Sequence, residues 1–137
     1  MTSLFLWEER KREWIPVLWA SFIATVIIGM SIKLLIARPR PYDVAIVTFF
    51  GIADYAFPSL HTAASFTAIA TLDREFPKFK WFWILFAFTV GFSRIYLNLH
   101  YLSDVIAGGL LGYIIGYFFV HSEEKFKFVK KIKMFRR

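Results

Sequence analysis

A chain of 137 residues is long enough for one domain, and with 58% hydrophobic and 20% aromatic content it is too apolar for an ordinary soluble one, which places it among integral membrane proteins. The absence of cysteine excludes disulfides, thiol catalysis and cysteine-based metal sites. A net charge of +7 would suit nucleic acid, but the basic residues flank apolar runs as the positive-inside rule expects, so no nucleic-acid partner is expected.

Residues 1–13 form a charged lead that includes Glu8, Glu9, Arg10, Lys11, Arg12 and Glu13. Trp14 to Ile36 is apolar except for Lys33 and exceeds the roughly 20 residues that cross a bilayer as a helix. The run is too long for a signal-peptide core and no A-x-A site follows it, so it is read as the first span of the mature chain. Arg38-Pro39-Arg40-Pro41 ends that helix, because the two prolines remove donors and fix the backbone. Val44 to Phe57 is apolar but short and contains Asp54, which suits an interfacial or re-entrant segment. A second span is expected over about 59–72, with Ser59 as its candidate cap. A polar turn, Asp73 to Lys80, leads to a third span over about 81–97, and a fourth follows over about 102–120. The tail, 121–137, is basic and partly apolar and is expected to lie on anionic lipid. The expectation is a single domain over 1–137: an all-α integral membrane helical bundle of about four transmembrane helices plus a short interfacial or re-entrant segment.

Four spans put both termini on one side of the membrane. Of the 17 basic residues, Lys33, Arg38, Arg40 and Arg94 fall on the opposite side and the rest with the termini. The positive-inside rule then places the termini in the cytoplasm of a multi-pass cell-membrane protein, and it disfavours a fifth span at 44–57. The five Trp fall near the inner interface, while Tyr42, Tyr55, Tyr96 and Tyr101 fall near the outer one. Gly108, Gly112 and Gly116 recur every four residues, a spacing that lets helix backbones approach closely, within the monomer or otherwise at a dimer seam.

The same topology gathers three polar stretches at the extracytoplasmic face: Lys33 with Arg40-Pro41, Pro58-Ser59-Leu60-His61, and Ser93-Arg94 with His100 and Asp104. Ionisable groups at the edge of hydrocarbon are functional candidates by default. Three cations converging on one point suit a phosphate dianion. One histidine can attack phosphorus while the other protonates the leaving oxygen. Were His100 and Asp104 on one helix, their i,i+4 spacing would let the carboxylate hold one ring nitrogen and leave the other free. No carboxylate cluster suggests a metal site, and Lys and Arg can supply the electrostatic work instead.

These stretches resemble the three-part signature of the type-2 phosphatidic acid phosphatase superfamily, the lipid phosphate phosphatases: K-x6-RP, PSGH and SR-x5-H-x3-D occur in order with both internal spacings intact. The run His-Tyr-Leu-Ser-Asp-Val-Ile-Ala-Gly-Gly at 100–109 is also similar to the family's entry into its last helix. The resemblance implies that His100 is the nucleophile and forms a phosphohistidine, that Asp104 orients it, and that His61 is the general acid and later the base for water. It implies that Lys33, Arg40 and Arg94 bind phosphoryl oxygens, helped by the Ser59 hydroxyl and by backbone N–H groups at the start of the second span, Leu60 among them. No cofactor and no metal is implied. The substrate class is a lipid phosphomonoester or diphosphate: prenyl diphosphate, phosphatidic acid or phosphatidylglycerol phosphate.

Two departures stand out. Leu60 occupies the family's glycine position, where it could narrow the pocket or shift an N–H. Family members usually have six spans, so this chain is a minimal form, a fragment, or a protein that completes its fold as a homo-oligomer. Arg38 lies off the motif spacing and reads as an interfacial anchor. Asp43 and Asp54 read as loop-capping residues and His121 as a residue without a role. The alternative from another class is a non-catalytic helical membrane protein that binds anionic lipid headgroups.

Overall fold

The structure, a computed structural model, describes residues 14–41 and 55–135. Among the described residues four helices follow one another: α1 (Trp14–Ile36), α2 (Leu60–Glu75), α3 (Lys80–Tyr96) and α4 (Leu102–Phe135), with a 3₁₀ turn at Pro77–Phe79 between α2 and α3. The expected lead at 1–13 and the expected interfacial segment at 44–57, with Asp43 and Asp54, lie wholly or largely outside the described residues. Among the described residues the chain is all-α, as expected.

The helices alternate in direction around α2, which packs on α1, α3 and α4. What each turns inward is small and polar. Ser21, Thr25, Gly29 and Lys33 are the buried residues of α1, one per turn. Ser59, Ala63, Thr67 and Thr71 are buried along α2, and Ala87 and Gly91 along α3. The row in α4 is Asp104, Gly108, Gly112 and Gly116. A Cβ on Gly108, Gly112 or Gly116 would run into the backbone of Ser59, Ala63 or Thr67, so α2 and α4 meet backbone to backbone. Thr25 Oγ1 lies 2.8 Å from Thr67 Oγ1 and ties α1 to the same ladder.

Large apolar side chains point the other way. Trp19, Ile23 and Leu35 of α1, Trp81, Phe88 and Phe92 of α3, and Leu110, Ile114 and Phe118 of α4 are all exposed. A soluble domain of this size buries such residues. A bundle with a small, polar inside and a bulky, apolar outside is built for lipid, where helices associate by close packing and hydrogen bonds. α1 and Leu102–Lys127 of α4 are each long and apolar enough to cross a bilayer.

One expectation changes at the far end. No break separates the fourth span from the tail, because α4 continues as one helix to Phe135. Beyond Gly116 it carries no glycine or proline. Glu123 also accepts Arg74 at 2.7 Å and Lys127 at 2.8 Å, which holds the extension against the end of α2.

Candidate active site

The alternating directions bring four helix ends together: the last turns of α1 and α3 and the first turns of α2 and α4. The two C-terminal ends carry Lys33 and Arg94, and the two N-terminal ends direct their partial positive charge at the same region. Backbone hydrogen bonds stitch the connecting segments to them. Ser59 N–H donates to the Asp104 carbonyl at 3.0 Å, and Ala56 N–H donates to the Arg38 carbonyl at 2.8 Å. Arg40 Nη1 donates to the Leu99 carbonyl at 3.2 Å.

His100 sits in the turn between α3 and α4, outside both helices. That turn is shaped by the end of α3. Leu99 N–H donates to the Arg94 carbonyl and Asn98 N–H to the Ile95 carbonyl, the paired bonds of a Schellman motif, with Asn98 at φ 58° in the left-handed position. Asparagine is the residue that tolerates that conformation best after glycine. His100 N–H also reaches the Arg94 carbonyl, at 3.3 Å, so the backbone of Arg94 supports the histidine directly.

The ring of His100 is buried, and its Nδ1 lies 2.7 Å from the Ala56 carbonyl oxygen. A carbonyl can only accept, so Nδ1 carries the proton and the lone pair of the neutral ring is on Nε2. Burial first, then the positive charges of Arg40 and Lys33, push the His100 pKa down to about 4, against the opposing pull of the Ala56 hydrogen bond and the Asp104 charge. The ring is therefore neutral at ordinary pH, with a nucleophilic nitrogen available.

Asp104 does not hold His100 in the way the i,i+4 reading supposed. The helix begins at Leu102, so the two residues share no helical face, and Asp104 Oδ2 is 3.8 Å from Nδ1. Asp104 Oδ2 instead accepts the Tyr101 N–H at 2.8 Å, the reciprocal half of a capping box on α4. Its Oδ1 accepts Arg38 Nη1 at 2.7 Å. Arg38, read from sequence as an interfacial anchor, is thus a partner of the site. It also donates to Ser103 Oγ at 2.7 Å and lies 4.1 Å from the centre of the Tyr101 ring. The sequence carried no direct signal for this pairing, because the full burial of Asp104, which demands a cation, is visible only in the fold.

Ser59 occupies the N-cap of α2, but its side chain does not cap. The fully buried hydroxyl pairs with Thr62 Oγ1 at 2.9 Å. Leu60 sends its side chain away from the helix end onto Gly29 of α1, where the missing Cβ leaves room for it. His61 follows in the same first turn and is exposed, Lys33 is only 5% exposed, and Arg94 is half-buried with Nε 3.3 Å from Ser93 Oγ. An apolar groove of about 790 Å³ opens between α2, α3 and α4, starting at Thr62, Ile95 and Leu102 beside this end and running to Arg74, Lys80 and Glu124 at the other.

Residues 4–128 match the PAP2 superfamily. The chain belongs to that family. An undecaprenyl-diphosphatase of Sulfolobus acidocaldarius is 35% identical over 129 residues, covering 90% of this chain and 62% of the relative. The undecaprenyl-diphosphatase BcrC of Bacillus subtilis is 36% identical over 71% of this chain and 51% of its own length. The chain therefore spans between half and two thirds of these relatives. Among solved structures, the crystal structure of Aquifex aeolicus LpxE superposes with a TM-score of 0.68 at 29% identity, covering 88% of this chain and 73% of that one. A PAP2-type phosphatidylglycerolphosphate phosphatase from Bacillus subtilis shares the fold with a TM-score of 0.64. As a PAP2 member with two bilayer-length apolar helices, the chain is a membrane protein.

Proposed function

We propose that this PAP2 protein is a metal-independent lipid phosphate phosphatase that works through a phosphohistidine. The observation that carries the reading is the His100 ring, whose Nδ1–H is committed to the Ala56 carbonyl so that Nε2 is the free lone pair. Nε2 attacks phosphorus, and the bond from phosphorus to the leaving oxygen breaks as His61 supplies a proton to that oxygen. Water then attacks the phosphohistidine, His61 takes its proton, the P–N bond breaks and inorganic phosphate leaves. Lys33, Arg40 and Arg94, with the N-terminal N–H groups of α2 at Leu60 and beyond, stabilise the equatorial oxygens as charge redistributes. The Ser59 hydroxyl would join them by turning away from Thr62. Asp104 serves the site through Arg38 and the first turn of α4.

A lipid substrate suits the position of these groups. The four helix ends lie at one edge of the bundle, and the apolar groove beginning one turn away can receive a hydrocarbon chain while the phosphate sits among the cations. Candidates are a prenyl diphosphate, phosphatidic acid and phosphatidylglycerol phosphate, and the names of the relatives favour the first. Charge sorting supports cytoplasmic termini and an extracytoplasmic site. Arg74, Lys78, Lys80, Lys125 and Lys127 stand at the end opposite Lys33, Arg38, Arg40 and Arg94.

The test offers the purified protein, in EDTA, each of the three lipid phosphates and measures released phosphate. Release is expected from at least one, with an acid-labile, base-stable phosphoprotein trapped on the way, and both are expected to vanish in His100→Ala. A folded wild type that releases nothing would remove the enzyme reading and leave an anionic-headgroup binder, and a His100→Ala variant that still turns over would remove the phosphohistidine route through His100.

A further inference from the structure

Packing does not explain Gly109. A Cβ on Gly108 or Gly112 would strike the backbone of α2, and one on Gly91 would lie 3.0 Å from Val105 Cγ1. On Gly109 it would meet only the ring of Phe66, at 3.6 Å, an ordinary contact. Glycine inside a helix costs stability relative to alanine, so its presence there calls for another reason. Gly109 lines the apolar groove between α2, α3 and α4, and Phe66 beside it is held edge-to-face against Phe88 of α3 at 5.3 Å. The missing side chain therefore leaves space in the groove rather than room for another helix.

The mouth of that groove is built from neighbours of the site. Thr62 follows His61, Ile95 follows Arg94, and Leu102 comes two residues after His100. At the far end Asp73 pairs with Lys80 at 3.3 Å, and Arg74 and Glu124 line the same end, so the apolar run stops on charge. α4 lines the groove from Leu102 to Glu124, about 33 Å of helix at roughly 1.5 Å per residue, which matches a hydrocarbon core of roughly 30 Å. Among the described residues the other seams are packed. α2 and α4 meet backbone to backbone, Thr25 lies 2.8 Å from Thr67 between α1 and α2, and Leu60 sits over Gly29.

We propose that Gly109 is a specificity-determining residue: a lipid substrate enters from the side, between α3 and α4, and lays its hydrocarbon chain over Gly109 with its phosphate at His100. The proposal rests on the reading of the protein as a lipid phosphate phosphatase. Lipid tails are as apolar as the groove, so moving a chain into it from the bilayer supplies little affinity. What the groove supplies is orientation. A chain held along α4 fixes its phosphate relative to the nucleophile, and such positioning acts on the rate. A side chain at Gly109 would lift the hydrocarbon and tilt the headgroup off line. A short, water-soluble phosphate makes no use of the groove, so the ratio of long-chain to short-chain turnover isolates its contribution.

The experiment measures kcat/KM of the full chain in lipid nanodiscs for geranylgeranyl and dimethylallyl diphosphate, and for dioleoyl and dihexanoyl phosphatidic acid. For whichever pair the wild type hydrolyses, Gly109→Leu is expected to lower the long-to-short ratio by about tenfold or more. Ile114→Phe, on an exposed face of α4 outside the groove, should keep the wild-type ratio. An unchanged ratio in a folded Gly109→Leu overturns the proposal and leaves the phosphatase reading intact; a shifted oligomeric state alongside it would make the groove the seat of a second copy. A second measurement does not depend on how the variant folds. The long-chain substrate carrying a photoactivatable diazirine in its chain is expected to label Phe66, Phe88 or Tyr113 of the wild type. Excess unlabelled substrate should suppress that labelling but not the labelling of Trp19 and Ile23, which face lipid on α1. Groove labelling that excess substrate leaves in place would mean that bilayer lipid fills the groove, and it overturns the proposal. If a folded wild type hydrolyses neither pair, the phosphatase reading falls and this one with it.

Discussion

Ala37 follows the last turn of α1 at φ 48°, with its N–H 3.0 Å from the Lys33 carbonyl. The left-handed region costs a residue with a Cβ roughly 1–2 kcal/mol, of which glycine would recover most before its larger unfolded-state entropy is subtracted. Ala37→Gly should therefore raise stability by about 0.5–1 kcal/mol, read as a higher unfolding temperature in detergent, and a lower one would contradict the strain. The second residue-scale expectation concerns His100, in the turn outside the helices. Its folded pKa of about 4 lies below the ordinary 6.5, so between those values the unfolded chain binds more protons than the folded one. Stability is thus full above about pH 6.5 and declines as pH falls through the window toward 4, by roughly 3 kcal/mol from this group. Arg40→Gln removes the largest charge contribution to the depression, and the His100 titration midpoint measured from its ring signal should move up. At this scale the spacing motifs led to Lys33, Arg40, His61, Arg94, His100 and Asp104, and the structure gathers the elements that carry them at one end of the bundle. They did not lead to Ala56, because its contribution is a backbone carbonyl, which every residue type supplies alike. They misdirected Asp104, because spacing four residues apart implies a shared face only inside a helix, and the helix starts between the two residues.

Small residues at every fourth position decide how the elements approach one another. The sequence displayed this most plainly in α4, where the row is glycine. The matching rows in α1 and α2 were harder to see because Ser, Thr and Ala are scattered among bulky neighbours, and an all-round apolar helix gives no amphipathic contrast to mark its inner face. The cost of spoiling a row depends on what the new atom meets. Gly112→Ala drives a Cβ into the backbone of Ala63, which cannot move without shifting α2, so a loss of about 1–3 kcal/mol or failure to fold is expected. Gly109→Ala meets only the Phe66 ring, at 3.6 Å, an ordinary contact, and should be tolerated. Comparing unfolding temperatures of the two adjacent variants separates backbone contact from a generic dislike of alanine. Gly29 makes a related case with a side chain as its neighbour. Gly29→Ala would collide with Leu60 Cδ2, and Leu60→Gly in the same chain should restore much of the lost stability. Equal loss in the single and double variants would mean that Leu60 is not seated on Gly29.

At the scale of the whole molecule, an all-α membrane bundle followed from composition and from the lengths of the apolar runs. The course of the tail did not, since basic composition alone does not tell a lipid-lying segment from a helix that runs on past the membrane. The alternating helix directions separate two ends, one with His61, His100 and four basic residues, the other with the charged 73–80 turn and the ion pairs of Arg74, Glu123 and Lys127. Orientation across the bilayer is open to a direct test because the chain has no cysteine of its own. Leu97 is 55% exposed in the turn beside His100, and Lys78 is exposed in the turn after α2. With the site outside, Leu97→Cys should react with a membrane-impermeant maleimide on intact cells, and Lys78→Cys should react only after the membrane is opened. The reverse pattern would put the proposed phosphate site in the cytoplasm and restrict its candidate substrates to lipids of the inner leaflet. Labelling of both from the same side would mean that α3, which joins these two turns, does not cross the bilayer at all. The 17 residues of α3 make about 25 Å of helix at 1.5 Å per residue, a little short of a hydrocarbon core of roughly 30 Å. A crossing by α3 therefore requires one of its ends to be recessed, and the end that carries Arg94 and the His100 turn is the one with cations that would hold the proposed lipid phosphate close above it.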